Sequence, residues 1–364
     1  MNAQAKSRLR LVANIAIAYA IIGLVISVYD HSVLYGPFPT GLIATYSLVG
    51  SLIYNAIAGL GAGLLGGLLL TSLNRKIRNR PFIYGQVWGA IIFVTIFALV
   101  SVSTAFISSY SIVQDSAEEL VLSDTFMEWL FSGIYLKNLI IWGIVFQFTQ
   151  FYLQLEQKFG PGNLYNIFSG KYHSPKEEER IFMFLDLKSS TTIAENLGEK
   201  KYHQFLQDVF SDITEPISSN RAEIYQYVGD EVILTWLLKN VQDRAVCVNI
   251  YFAIERIFEL KKQAYLEKYQ TVPRFKAGAH IGNSIVGEIG IIKRDITYSG
   301  DLLNTTARIQ GMCNELKSTF LISGQLRQYL ADAIDQSSLA DKGFIALKGK
   351  RTQVTLFSVA DMGE

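Results

Sequence analysis

Apolar positions crowd the first 152 residues and thin out after them. Residues 11–29, 41–73, 82–108 and 133–152 form four stretches near or above the roughly 20 mostly apolar residues that a membrane-crossing helix needs. The polar positions between them are sorted by sign. Lys6, Arg8 and Arg10 precede the first stretch, and Arg75, Lys76, Arg78 and Arg80 separate the second from the third. The connection from third to fourth carries Asp115, Glu118, Glu119, Asp124 and Glu128 with no Lys or Arg. Basic loops stay on the cytoplasmic side, so the pattern predicts a four-span α-helical bundle in an inner or plasma membrane with both termini cytoplasmic. A cleaved signal peptide would share the basic start and apolar core of residues 1–29, but no small-residue cleavage site follows Tyr29 and further spans come next. Gly59, Gly63 and Gly67 share one face of the second span, where a helix of the same chain or of another copy can approach closely. No Asp, Glu, Lys or Arg lies mid-span, which disfavours a channel or pump.

From Phe151 the pattern changes. Gly160-Pro161-Gly162 must break a helix and Pro175 marks a boundary. The predicted domains are a membrane block over 1–153, a linker with a short structured element over 154–179, and a cytosolic domain over 180–364. In that domain short β-rich runs alternate with helical periodicity. Strands are predicted at 180–187, 222–227, 231–237, 274–280, 284–289 and near 319–322 and 352–359. Helices are predicted within 192–218, at 241–265 and at 302–316, with a last one between the final strands. The mixture implies an α+β fold, a sheet with helices on one face.

A 50% hydrophobic content and a mean hydropathy of +0.23 are too apolar for a purely soluble chain. Net charge is +1 and no basic stripe alternates with aromatics outside the membrane loops, so nucleic acid is not an expected partner. Cys247 and Cys313 both fall in the predicted cytosolic domain and read as buried thiols, not as a disulfide.

Four segments carry candidate chemistry. In IFMFLDLKSSTT, Asp186 ends an apolar strand and Ser189, Ser190 and Thr191 open a helix. Backbone N–H groups at a helix start cradle phosphate oxygens and an adjacent carboxylate can hold a metal, although a simple helix cap would look the same. In EIYQYVGDEVIL, Gly229-Asp230 joins two β-rich runs; it is either an ordinary hairpin turn or a second strand-end carboxylate converging on the same metal pair. In DITYSGDLLNTTARIQ, Asn304 and Arg308 lie one helical turn apart, as a surface pair or as groups that orient a ribose and stabilise phosphate charge. In FIALKGKRTQVTLFSV, Lys348 and Lys350 lie on or between terminal strands, where solvated lysines are common.

In order and spacing these segments resemble the catalytic domain of class III adenylyl and guanylyl cyclases over residues 180–359. The resemblance implies a ferredoxin-like βαββαβ core, a homodimer with active sites shared across its interface, and two Mg²⁺ or Mn²⁺ ions. By position, Asp186 and Asp230 would be the metal ligands, with the backbone carbonyl of Leu187 as a further one. Asn304 would position the ribose, Arg308 stabilise the transition state and Lys348 meet the terminal phosphates. The basic group near the β-phosphate would be Lys293 or Arg294. The purine would be read by Gln226, where adenylyl members usually carry Lys and guanylyl members Glu, and by Thr297. An amide offers both a donor and an acceptor, so ATP is the expected substrate, with guanylyl or dual specificity as the alternative. The Val228–Val232 segment also resembles the diguanylate cyclase hairpin, but the Asn304/Arg308 helix and Lys348 point away from that family. A receptor-like membrane protein with a silent cyclase domain is the remaining alternative.

Overall fold

The computed structural model describes residues 3–34, 48–77, 80–113, 133–160, 162–347 and 353–360. Beyond the first four residues, the chain divides into two compact units, Ala5–Leu164 and Tyr165–Glu364.

The N-terminal unit is built from four long helices: α1 (Ala3–Leu34), α2 (Leu48–Lys76), α3 (Phe82–Val113) and α4 (Gly133–Phe159). Among the described residues, three helical segments, Arg8–Val33, Leu48–Lys76 and Phe82–Val102, are long and apolar enough to cross a membrane. The fourth predicted crossing is helical but falls outside that class, because Lys137, Asn138, Gln147 and Gln150 lie within it. Its polar groups find partners inside the bundle. Gln150 Nε2 donates to Asn74 Oδ1 at 2.9 Å and to the Gly85 carbonyl at 3.0 Å, and Gln86 Nε2 donates to Gln154 Oε1 at 2.9 Å. Lys137 pairs with Asp30 on α1. Pairing of this kind is what an apolar solvent demands, since no water is present to satisfy an orphaned amide. The α2 glycines face α1: a Cβ at Gly59 would lie 2.6 Å from the Tyr19 carbonyl oxygen, and one at Gly63 2.5 Å from Ala16 Cα. The glycine face therefore serves packing within the chain.

Helix α4 stops where Gly160 and Gly162 take φ of +88° and +80°, conformations that L side chains rarely adopt. A short helix α5 (Asn163–Phe168) follows. Next come β1 (Lys176–Leu187), α6 (Ser190–Leu197), α7 (Glu199–Asp212), α8 (Thr214–Ser219), β2 (Glu223–Val228), β3 (Glu231–Leu237), α9 (Val246–Leu260), α10 (Lys262–Tyr269) and β4 (Phe275–Ile289). The chain continues through β5 (Asp295–Ser299), α11 (Asp301–Gly311), β6 (Phe320–Ser323), α12 (Gly324–Leu330), β7 (Leu339–Ile345) and β8 (Val354–Val359). The strands form one mixed sheet in the order β2-β3-β1-β4-β6-β8-β7, with β5 paired to β4. Its first four strands, antiparallel to one another, have the connectivity of a ferredoxin-like βαββαβ unit, and β6 joins β4 in parallel.

Strand β1 is buried from Arg180 to Leu185 without alternation, because both faces of the sheet are covered. On one face Ile181, Met183 and Leu185 pack against Phe205, Ile254 and Phe258 from the helices between α6 and α12. On the other, Phe182 and Phe184 meet Leu302 of α11. The expected single layer of helices therefore holds for the first face and fails for α11. Strand β4 is one 15-residue strand where two were expected, since Gly282 and Asn283 continue the ladder opposite Arg180 and Glu179. Strands β5 and β7 were not anticipated. Cys247 and Cys313 are buried free thiols, and burial pushes each up to about 12.

Arg180, 1% exposed, ties this unit together. Its Nε donates to Glu178 Oε2 and its Nη1 to Glu223 Oε2, both at 2.8 Å. Its guanidinium lies 4.8 Å from the centre of the Tyr298 ring, which in turn packs edge-on against Phe182 and Tyr225. One side chain thus links β1, β2 and β5. Replacing Arg180 by Met takes from the largely buried Glu178 its nearer cation, leaving Lys171 at 3.7 Å, and leaves Glu223 without its partner, a loss of about 3 kcal/mol. The melting temperature of the full-length variant should fall by about 6–12 °C; a fall below about 2 °C would show that the network contributes no stability.

Candidate active site

The site begins at the end of β1, where Asp186 stands in register with Glu231 on β3 and Lys276 on β4. These side chains share the α11 face of the sheet with Phe182 and Phe184, because alternate strand residues point to the same side. Asp230 sits one residue before Glu231, in a two-residue turn whose Gly229 has φ of +63°. Tight turning by that glycine brings a second carboxylate to the strand end that bears Asp186. Burial, and then the charges of Asp186 and Asp230, push the Glu231 carboxyl up to about 7, with Lys276 opposing. The Tyr202 hydroxyl is raised by burial and by the same two aspartates, and bonds with the Ser190 hydroxyl. Both aspartates therefore act on one neighbourhood of concentrated negative charge.

Two further groups close on Asp186. Lys276 Nζ and Gln310 Nε2 each lie 2.9 Å from its Oδ2. Neither was singled out in the sequence. Gln310 had a signal: it shares the buried face of α11 with Leu302, Thr306 and Ile309, where an amide needs a partner. Lys276 follows from strand parity, since Phe275, Ala277 and Ala279 enter the core and put Lys276 on the opposite face.

The turn from β1 into α6 places Ser189 in the left-handed region, with φ 58° and ψ 27°, and its side chain caps nothing. The helix-cap reading of this segment is thereby overturned, and among the described residues the first N–H groups of α6 have no side-chain acceptor. Ser189 and Thr191 are exposed and Ser190 is half-buried. Leu187 buries its side chain in the core, so its backbone is all it can offer a ligand.

Asn304 and Arg308 occupy α11 one turn apart, and among the described residues neither side chain has a hydrogen-bond partner. At about 100° per residue, they project about 120° and 160° around the helix from Gln310. Since Gln310 faces Asp186 of the same chain, Asn304 and Arg308 face away from it. Gln226 is exposed on β2, just past an irregularity in its pairing with β3. Thr297 is half-buried on β5, and its hydroxyl donates to the Gly287 carbonyl at 3.4 Å. Lys293 is paired with Asp295 at 2.7 Å, whereas Arg294, likewise exposed, has no ion-pair partner among the described residues. Lys348 and Lys350 lie outside the described residues.

Among the described residues no group of three or more His, Cys, Asp or Glu forms a metal cage. Two convergent aspartates and a strand-end carbonyl suit Mg²⁺ nonetheless, because that ion commonly takes one or two carboxylates and completes its shell with water and substrate phosphates. The charge concentration that raises Glu231 is the observation that favours a cation here.

A family model for the adenylate and guanylate cyclase catalytic domain matches residues 173–360. Adenylate cyclase 2 of Rhizobium meliloti (strain 1021) is 32% identical over 209 residues, 57% of this chain and 57% of that protein. Adenylate cyclase 1 of the same organism is 26% identical over 187 residues, 50% of this chain and 27% of that protein. The chain thus spans little more than half of the first of these relatives and about a quarter of the second. A solved structure of a bacterial light-regulated adenylyl cyclase shares the fold at a TM-score of 0.50 and 19% identity, covering 60% of this chain and 63% of that one.

The approach of α11 to β4 is testable apart from any activity. A Cβ at Gly278 would lie 2.6 Å from Gln310 Cα, a backbone atom that cannot swing aside. Gly278→Ala should therefore cost about 1–3 kcal/mol, read as a lowered denaturation midpoint of the full-length protein. An unchanged midpoint would mean that α11 is not seated as described.

Proposed function

We propose, since this chain belongs to the family of class III adenylate and guanylate cyclase catalytic domains, that it is an adenylate cyclase converting ATP to 3′,5′-cyclic AMP and pyrophosphate as a homodimer. The observation that carries the shared-site reading is the two-sidedness of α11. Gln310 holds Asp186 within one chain while Asn304 and Arg308 turn outward, where only a second chain can supply the aspartates they serve. The fully exposed Ile291 and Ile292, at the tip between β4 and β5, add apolar surface suited to burial between copies.

In this reading Asp186 and Asp230, with the Leu187 carbonyl, would hold two Mg²⁺ or Mn²⁺ ions, whose bound charge neutralises phosphate oxygens and favours ionisation of the ribose 3′-hydroxyl. The free N–H groups over Ser189, Ser190 and Thr191 receive phosphate oxygens. Asn304 of the partner chain orients the ribose, its Arg308 faces the charge that develops on the α-phosphate, and its Lys348 meets the terminal phosphates. The 3′-oxygen bonds to the α-phosphorus, the bond to the β-phosphate oxygen breaks, and pyrophosphate leaves. The hydroxyl proton passes to solvent. The Gln226 amide offers the adenine edge a donor and an acceptor, and the Thr297 hydroxyl is the second purine-reading group. The names of the Rhizobium relatives support ATP, and the neutral amide leaves weaker GTP turnover open.

Residues 1–153 would anchor the catalytic unit, 180–364, to a membrane through four crossings with both termini cytoplasmic, and 154–179 would connect the two. Three apolar helices and the polar partners found by α4 support that arrangement. Product identification by mass spectrometry, with ATP or GTP and Mn²⁺, tests the activity directly. Cyclic AMP is the expected product; none with either nucleotide would leave a silent domain.

Asp230→Ala and Arg308→Ala homodimers should each retain at most a few per cent of turnover. In a mixed dimer one composite site carries both lesions and the other carries neither. With random assortment, co-expression should restore about a quarter of wild-type activity, and no gain in demonstrably mixed dimers would place a whole site in each chain. The purine reader is tested by Gln226→Lys combined with Thr297→Asp, which should raise the ATP to GTP ratio. A flat or falling ratio in the folded double variant would remove Gln226 from that role.

A further inference from the structure

We propose that the N-terminal unit holds a binding site for a small uncharged aromatic molecule, of phenol or indole size, carrying one hydrogen-bonding group. The proposal does not rest on the catalytic reading. A cavity of about 170 Å³ lies among the four helices, with Ala58 of α2, Phe93, Phe97 and Ser101 of α3, and Asn138 and Trp142 of α4 in its walls. It sits in the half of the bundle that holds the start of α2 and α4.

The rest of the bundle is closely packed, so the cavity is not a symptom of general looseness. Glycines of α2 press on the α1 backbone, and Gly66 abuts the Phe146 ring. In the other half, Asn74, Gln86, Gln150 and Gln154 pair with one another. The cavity is partly open, which gives an occupant a way in, and a fitting occupant would add contacts to its lining atoms.

The lining defines the occupant. Among the described lining residues there is no Asp, Glu, Lys, Arg or His, which favours an uncharged ligand. Aromatic rings dominate the wall and favour edge-on or offset contact with another ring. Several polar side chains line the cavity: Asn55 donates to Ser27 and Ser51 and the Tyr19 hydroxyl donates to Thr149, and Tyr54, Tyr135, Ser101 and Asn138 complete the polar part of the wall. Ser101 is 7% exposed, and among the described residues neither it nor Asn138 has a hydrogen-bond partner. The Ser101 hydroxyl and the Asn138 amide are therefore available to a polar atom on the ligand. Size follows from comparison with an apolar cavity of about 150 Å³, which accepts benzene. Asn138 and Trp142 belong to α4, the helix that runs on to the Gly160 break, so occupancy bears on the segment leading to the C-terminal unit.

The test is equilibrium dialysis of radiolabelled indole against the full-length protein in lipid nanodiscs, with empty nanodiscs to measure partition into lipid. Saturable uptake approaching one indole per chain is expected, and benzoate at the same concentration should not displace it. Ala58→Phe, which fills the space, should abolish the saturable part. Ser101→Ala with Asn138→Ala leaves the volume open and should weaken binding about fivefold to tenfold, which keeps the test decisive if Ala58→Phe does not fold. Uptake that rises linearly and matches empty nanodiscs would overturn the proposal, as would saturable uptake that the serine and asparagine changes leave untouched.

Discussion

Everything at the candidate site is positioned by the burial of β1 on both faces. A strand in that situation has no freedom to slip, because a shift of one residue would exchange Ile181, Met183 and Leu185 with Phe182 and Phe184 between two differently shaped cores. It is also paired along both edges, to β3 and to β4. Register is therefore set by packing before any functional group is considered. Arg180 near one end and Asp186 at the other are the two charged residues within this otherwise apolar run, and each is held by a defined set of partners.

The same register ties together the two different strands that carry the proposed purine readers. Gln226 is on β2 and Thr297 on β5, at opposite margins of the four-stranded core. Tyr225 and Tyr298, their immediate neighbours, meet with ring centres 5.0 Å apart over Phe182 of β1. Arg180 stacks on Tyr298 and bonds to Glu223 of β2. A cluster of rings and one buried cation thus spans the strands that carry Gln226 and Thr297, as a rigid support beneath two exposed or half-buried polar groups.

How much of this was legible follows from what local pattern can encode. The apolar run ending at Asp186 and the Gly229-Asp230 turn both stood out, because each depends on neighbours in sequence. The continuity of β4 did not: Gly282 and Asn283 look like a break in isolation, and only pairing with β1 keeps them extended. The separate placement of α11 was hidden for a similar reason. Its apolar face shows that it packs, but the choice of sheet face comes from Phe182, Phe184 and the space left by Gly278. Likewise, the polar residues of α4 lower its hydropathy, and their partners lie on α1, α2 and α3, more than 60 residues away. Lys276 and Gln310 escaped notice because their importance is defined by a contact with Asp186 across long sequence separations.

That contact also bears on what the site can admit. Asp186, Asp230 and Glu231 crowd one strand end, and Lys276 is the cation among the described residues that lies against them. A triphosphate arriving alone would meet net negative charge, and at short range in a partly buried site such repulsion is screened weakly. Cations brought with the nucleotide change the sign of that encounter. Gln310 is neutral, so its hydrogen bond to Asp186 orients the carboxylate without cancelling its charge. The lysine opposes carboxylate repulsion when the strand end stands alone, while the glutamine preserves a geometry that needs no net positive charge from the protein. On the proposed function, this arrangement suits a metal-bearing polyanion better than a bare one.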